Sequence, residues 1–219
     1  MLKSKRVFPW VTFALVAINV LVFTATVDSN LLLTDEVATG YGFVPSRFFD
    51  GSCTWCAVTH IFLHAEIMHL GSNMLALLFI GSSLESRVGH ARYMALYILC
   101  GVLAAVAFGA LNPASTRPAV GASAAIFGVM GTLSLLYPTS FVILIVIPVP
   151  IMLISAVYAI VTVAMIQAGD TGPVGHFAHL AGMGSGMMLA FLMEPVDALK
   201  GLVIFVISVV AIVIAMGFL

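Results

Sequence analysis

Long apolar runs separated by short polar stretches dominate this chain. With about 20 apolar residues as the unit that crosses a bilayer, helices are expected near residues 7–27, 67–84, 91–111, 121–137, 141–166, 174–192 and 201–219. The pattern gives six spans and then a seventh. The second and fourth are short, as expected of helices that begin below the bilayer surface in a cavity lined by protein. Pro148 and Pro150 fall inside the fifth and break its hydrogen-bond ladder, so a kink is expected there. Residues 28–66 make up the one long loop, where Phe43, Phe48, Phe49 and Trp55 stand among polar residues. Aromatic and polar groups mixed in this way suit the headgroup zone, which predicts a folded segment lying partly in the interface.

Composition agrees with this pattern. Of 219 residues, 62% are hydrophobic and only 8% charged, against roughly 25% charged in soluble domains. The fold class is therefore an all-α, polytopic membrane helical bundle. A net charge of −1 gives no argument for nucleic acid or another anionic partner. Lys3, Lys5 and Arg6 precede the first apolar run in the outline of a secretory signal. That run is about 20 residues long, whereas a signal core has about 7–15, so it is read as a retained span. Lys3, Lys5, Arg6, Arg87, Arg92 and Lys200 fall on one side of this topology, and only Arg47 and Arg117 on the other. The expectation is a multi-pass protein of the cell membrane with a cytoplasmic N-terminus. The second, fourth and sixth spans then all start at the outer face.

Polar residues at those three starts carry the candidate chemistry. Gly121-Ala122-Ser123-Ala124 opens the fourth span, placing a hydroxyl beside the unpaired N–H groups of a helix entrance. Alone, such a run means packing or capping. His69 and Asn73 share one face at the start of the second span, and His179 lies about one turn into the sixth. All four fall at one depth. A serine hydroxyl needs a neutral imidazole to take its proton, a role His179 can fill, while His69, Asn73 and the Ser123 N–H can donate to an oxyanion. Gly128 and Gly131 in the fourth span and Gly182, Gly186 and Ala190 in the sixth suit close helix approach. His60 and His64 are expected in buried hydrogen-bonding roles, and Glu85, Arg87 and Arg92 in a structural cluster at the cytoplasmic end. Cys53, Cys56 and Cys100 read as structural, because zinc or redox chemistry normally brings a second cysteine pair or a thioredoxin-like context.

These residues resemble the rhomboid intramembrane serine proteases. The resemblance rests on Gly121-Ala122-Ser123-Ala124, on Ala178-His179-Leu180-Ala181-Gly182 and on His69 to Asn73. It extends to the His60 to Ala65 stretch and to the Gly81, Glu85 and Gly89 spacing, and so covers the second to sixth spans. It implies a rhomboid-like six-helix core over residues 1–194, with 28–66 as its first extracytoplasmic loop, followed by a linker and an extra transmembrane helix over 195–219. It also implies Ser123 as nucleophile, His179 as general base, and His69 and Asn73 as oxyanion donors in a dyad without a carboxylate. The substrates would be single-span membrane proteins, cleaved near their outer ends in the bilayer without a metal or cofactor. Two positions depart from the family pattern: Ala124 follows the nucleophile where glycine is usual, and Trp55-Cys56 replaces a Trp-Arg pair.

Other intramembrane proteases fit poorly. No His-Glu dipeptide begins a zinc motif, and Asp170 sits in a loop without a second membrane carboxylate. The rival from another class is a catalytically inactive rhomboid-like protein that binds membrane clients, with Ala124 as the mark of lost activity. A transporter is disfavoured by the lack of embedded charge pairs and repeated halves.

Overall fold

The computed structural model describes residues 7–144, 147–168 and 175–217. Lys3, Lys5, Arg6 and Asp170 lie outside the described residues. The helices are α1 (Trp10–Thr26), α2 (Asp35–Tyr41), α3 (Pro45–Phe49), α4 (Cys56–Thr59), α5 (Ile67–Ala76), α6 (Ser82–Val88), α7 (His90–Leu111), α8 (Ser123–Leu136), α9 (Ile151–Gln167), α10 (Gly175–Met193) and α11 (Pro195–Ala215). A short hairpin of β1 (Phe141–Leu144) and β2 (Ile147–Pro150) precedes α9. Among the described residues, four helical stretches are long and apolar enough to cross a membrane: Ile67–Val88, His90–Leu111, Gly175–Met193 and Pro195–Ala215. The apolar helices α1, α8 and α9 are shorter. The chain is a multi-pass helical membrane protein.

α8 is the centre of the bundle. Apart from Ser123 and Phe127, its residues are buried all round, as expected of a helix with apolar residues on every face. Its 14 residues rise about 21 Å, less than the roughly 30 Å hydrocarbon thickness, so its first turn can lie below the surface. α10 packs on it most closely. At Gly182 and Gly186 an added Cβ would run into the carbonyl oxygens of Ala124 and Gly128. Glycine there lets the two backbones meet, and Thr132 Oγ1 bridges them with a bond to the Gly186 carbonyl at 2.8 Å. Gly128 faces Cys100 of α7, and Gly131 faces the Met183 carbonyl of α10.

Three spans differ from expectation. The second runs without interruption to Val88, through a π-helical stretch Leu77–Gly81 and α6, so it is long rather than short. Its polar tail is held by Glu85, which is fully buried. Glu85 accepts the N–H groups of Val11 and Thr12 at 2.8 and 2.7 Å, the Thr12 hydroxyl at 2.7 Å and a His90 ring N–H at 2.6 Å. A carboxylate from another helix thus satisfies the open first turn of α1. Where the fifth span is expected to begin, Phe141–Leu144 and Ile147–Pro150 form the hairpin instead, in which Pro148 pairs with Ile143 and Pro150 with Phe141. Proline disfavours helix at the residue before it, here Ile147 and Val149, and a two-stranded sheet tolerates its missing N–H. The expected mid-helix kink is therefore absent, and α9 starts after Pro150. Likewise α11 starts at Pro195 rather than 201, leaving Glu194 alone as the connection from α10.

The long loop folds into α2, α3 and α4, with α3 and α4 against the C-terminal half of α7. Its Phe43 exchanges both backbone hydrogen bonds with Ala119, at 2.9 and 2.8 Å, and the His60 carbonyl accepts the Gly121 N–H at 2.9 Å. The loop therefore fixes the segment that leads into Ser123.

Candidate active site

Ser123 is the first residue of α8, and His179 stands in the second turn of α10. The close approach of these helices brings His179 Nε2 to 2.8 Å from Ser123 Oγ. On the other side of the ring, His179 Nδ1 lies 2.8 Å from the Tyr158 hydroxyl on α9. Phe127, one turn below Ser123, stacks on Tyr158 with centroids 4.1 Å apart and lies 4.6 Å from the imidazole. The ring is thus held at both nitrogens and along one face. When Nδ1 carries the proton and donates it to the Tyr158 oxygen, the Nε2 lone pair is free to accept the serine proton.

Gly121 adopts φ +127°, a conformation that favours glycine. The space its missing side chain leaves is 2.8 Å from His69 Nε2 and 3.7 Å from Ser123 Oγ. His69 Nδ1 accepts the Ala65 N–H at 3.3 Å, which leaves Nε2 as the protonated nitrogen facing that space. A negative charge above Gly121 would meet one N–H donor from His69, beside the Ser123 hydroxyl. Asn73 is more remote. Its amide donates to the His69 carbonyl at 2.8 Å, bracing the helix turn that carries His69.

Two cavities flank the pair. One, of about 340 Å³, is lined by His60, Phe108, Pro118 and Ala124. The other, of about 370 Å³, lies between α5 and α9 and is lined by Ser72, Asn73, Ile154 and Tyr158. Ser123, His69 and His179 border both, whereas Asn73 borders only the second. Ala124 keeps its backbone N–H in the first turn, and Gly182 accommodates the helix approach at that level. His60 Nδ1 bonds the Cys56 carbonyl at 2.9 Å, as expected of a buried histidine. Burial holds His60 far below its usual range, at about 4. His64 departs from expectation: it is fully buried, edge-on to His69 with rings 5.1 Å apart, and neither ring nitrogen meets a hydrogen-bond partner among the described residues.

Tyr158 and Phe127 are the site residues that sequence reasoning missed. Phe127 stands four residues after Ser123, hence on the same helix face, and Tyr158 is a polar-tipped ring in an otherwise apolar helix. Both signals were present but depend on knowing which face of α9 turns inward.

Comparison with known proteins bears on the family. The sequence is 38% identical over 132 residues to "Rhomboid protein 1, mitochondrial" of Saccharomyces cerevisiae, covering 58% of this chain and 37% of that protein. It is 30% identical over 125 residues to the rhomboid protease GluP of Bacillus subtilis, covering 57% of this chain and 24% of that one. Against the putative rhomboid protease YdcA of Bacillus subtilis the identity is 34% over 132 residues, covering 58% and 61%. The chain thus matches less than two thirds of the length of each of these relatives. Residues 52–196, from the end of the long loop through α10, match the Rhomboid domain, and the chain belongs to the rhomboid family.

Proposed function

We propose that this protein is an intramembrane serine endopeptidase that cleaves single-span membrane proteins near the outer ends of their helices. The observation that carries the reading is the 2.8 Å approach of His179 Nε2 to Ser123 Oγ, with the opposite ring nitrogen held by Tyr158. A peptide bond in a membrane helix is hidden by its own hydrogen bonds, so the substrate must unwind before it is cut. Segments with glycine or proline near the outer end unwind most readily. The extended strand then crosses Ser123 from one flanking cavity to the other. Ser123 attacks the carbonyl, and His179 takes its proton and returns it to the leaving amine. The oxyanion is met by His69 Nε2–H and the Ser123 N–H, with Asn73 supporting His69. Water then releases the acyl-enzyme.

The protein is read as residing in the cell membrane with its N-terminus in the cytoplasm. Arg87, Arg92 and Lys200 gather at the end of the bundle opposite Arg47 and Arg117, which supports this orientation. Residues 1–194 form the protease core, and 195–219 add the helix α11.

The test uses the full chain in detergent with a membrane-spanning reporter. Ser123→Ala and His179→Ala are expected to lower cleavage by at least about 10³-fold while binding is kept, and fluorophosphonate labelling is expected to vanish in Ser123→Ala. Cleavage that persists in Ser123→Ala overturns the mechanism. Client binding without cleavage by the native chain would mark it instead as an inactive binding protein of the same family.

A further inference from the structure

Cys53 and Cys56 are both fully buried free thiols. They belong to a small apolar cluster with Phe43, Ala57, Ala105 and Phe108, which seats the long loop on α7. They stand three residues apart where the chain bends at Thr54 into α4. A disulfide bridges Cα atoms about 4.4–6.8 Å apart. The two side chains share one buried cluster: the Cys56 thiol donates to the Cys53 carbonyl at 2.5 Å, and the Cys53 thiol donates to the Gly40 carbonyl at 3.8 Å. Cys100 lies apart, packed against Gly128.

The bonds around this turn lead in two directions. Toward the loop, the Cys53 N–H donates to the Arg47 carbonyl at 2.9 Å, and Trp55 Nε1 donates to the Gly40 carbonyl at 3.3 Å. These contacts fasten α2 and α3. Toward the site, the Cys56 carbonyl accepts from His60 Nδ1 at 2.9 Å, and the His60 carbonyl accepts from Gly121 N–H at 2.9 Å. An unbroken series of bonds therefore runs from the thiol pair to a residue two positions before Ser123.

We propose that Cys53 and Cys56 form a redox site: a reversible intramolecular disulfide that fixes the turn carrying His60 and stiffens the approach to Ser123. It closes by exchange with an external disulfide oxidant, either a disulfide-bonded oxidase or an oxidised small thiol. One cysteine thiolate attacks a sulfur of the oxidant, forming a mixed disulfide and releasing one oxidant thiolate. The second cysteine thiolate then attacks the protein sulfur and displaces the other. The pair loses two protons and two electrons, and the oxidant becomes two thiols. On the outer face assigned above, such a bond persists. Burial raises the Cys56 thiol to about 11, so exchange proceeds when the turn opens rather than in the closed loop. The effect on catalysis rests on Ser123 being the nucleophile, whereas the thiol chemistry does not.

The experiment treats the full chain in detergent with oxidised or reduced glutathione, then unfolds it, alkylates it and measures its mass. Of the three cysteines in the chain, only Cys100 is expected to carry label after oxidation, and all three after reduction. The oxidised form is expected to melt about 2–4 °C higher. Its fluorophosphonate labelling rate is expected to differ from that of the reduced form, a difference lost in Cys53→Ser and Cys56→Ser and kept in Cys100→Ser. Three labels after oxidation, even in mild denaturant that opens the loop, overturn the redox site. A disulfide that forms while melting and labelling rate stay unchanged overturns the coupling. If the serine variants fail to fold, the native mass measurement still decides. If Ser123 is labelled in neither state, the proposed function fails while the thiol count stands by itself.

Discussion

His179 has hydrogen-bonding groups at both ring nitrogens, and only one arrangement of protons makes it a base. Tyr158 must accept from Nδ1–H, because a tyrosine that donates there would turn a proton on Nε2 toward Ser123. Removing the tyrosine oxygen leaves the tautomer unselected, with Phe127 and the Ser123 contact still orienting the ring. Tyr158→Phe is expected to lower kcat by about 5- to 10-fold, the worth of one hydrogen bond of about 1–1.4 kcal/mol, with KM little changed. Single-turnover cleavage of a membrane reporter checks this, and an unchanged kcat would reduce Tyr158 to a packing residue. Ser123, His69 and His179 were legible in the sequence because each is a polar group near the start of an apolar run, where burial is costly without a purpose. Asn73 was legible as a neighbour of His69, but its bond to the His69 carbonyl was not. The face of a helix that a single asparagine amide chooses depends on rotamer and packing rather than on spacing.

The elements read most easily were those whose whole length is apolar and uninterrupted, such as α7, which the expected 91–111 matches within one residue. The misreadings have definite causes. Phe141 to Pro150 is as apolar as any helix here, yet it is rich in β-branched residues and proline, and apolar run length cannot separate a strand from a helix. Conversely, the expected span stops at Leu84, before the polar residues that follow, yet the chain stays helical to Val88, with Glu85 turned inward. That carboxylate joins three elements: it sits on α6, closes the first turn of α1 and binds His90 at the start of α7. Glu85→Ala would leave the Val11 and Thr12 N–H groups without an acceptor inside the bundle. The expected cost is about 2–4 kcal/mol, seen as a lower unfolding midpoint in detergent. Glu85→Gln, which keeps one acceptor oxygen, is expected to lose less. Equal melting of Glu85→Ala and the native chain would mean that α1 is held by its apolar face alone.

At the scale of the molecule, the two ends of the bundle do different work. One end is fastened by Glu85 and by Arg87, which bonds Ser140 at 3.0 Å and lies over the Tyr137 ring at 5.3 Å. The other end holds the loop, the two cavities and two loop histidines, His60 and His64, kept neutral by burial. His60 is held at about 4, chiefly by burial, and His64 at about 3, by burial and then by the neighbouring His69. In the unfolded chain both return to about 6.5, so between pH 6.5 and 4 the unfolded state binds more protons than the folded one. Stability is therefore complete above about pH 6.5 and falls as the pH drops toward 4, by up to about 1.4 kcal/mol per pH unit for each histidine. Melting the full chain at pH 7 and at pH 5 checks the sign, with a lower midpoint expected at pH 5. His64 separates this effect from general acid sensitivity, because its ring lies near the Phe62 backbone without a close hydrogen bond for a substitution to abandon. His64→Phe keeps an aromatic ring against His69 and cannot take up a proton, so it should melt at or above the native midpoint at pH 7 and lose roughly half of the acid sensitivity. An equal drop between pH 7 and 5 in both proteins would show that the acid response arises elsewhere than in this buried pair.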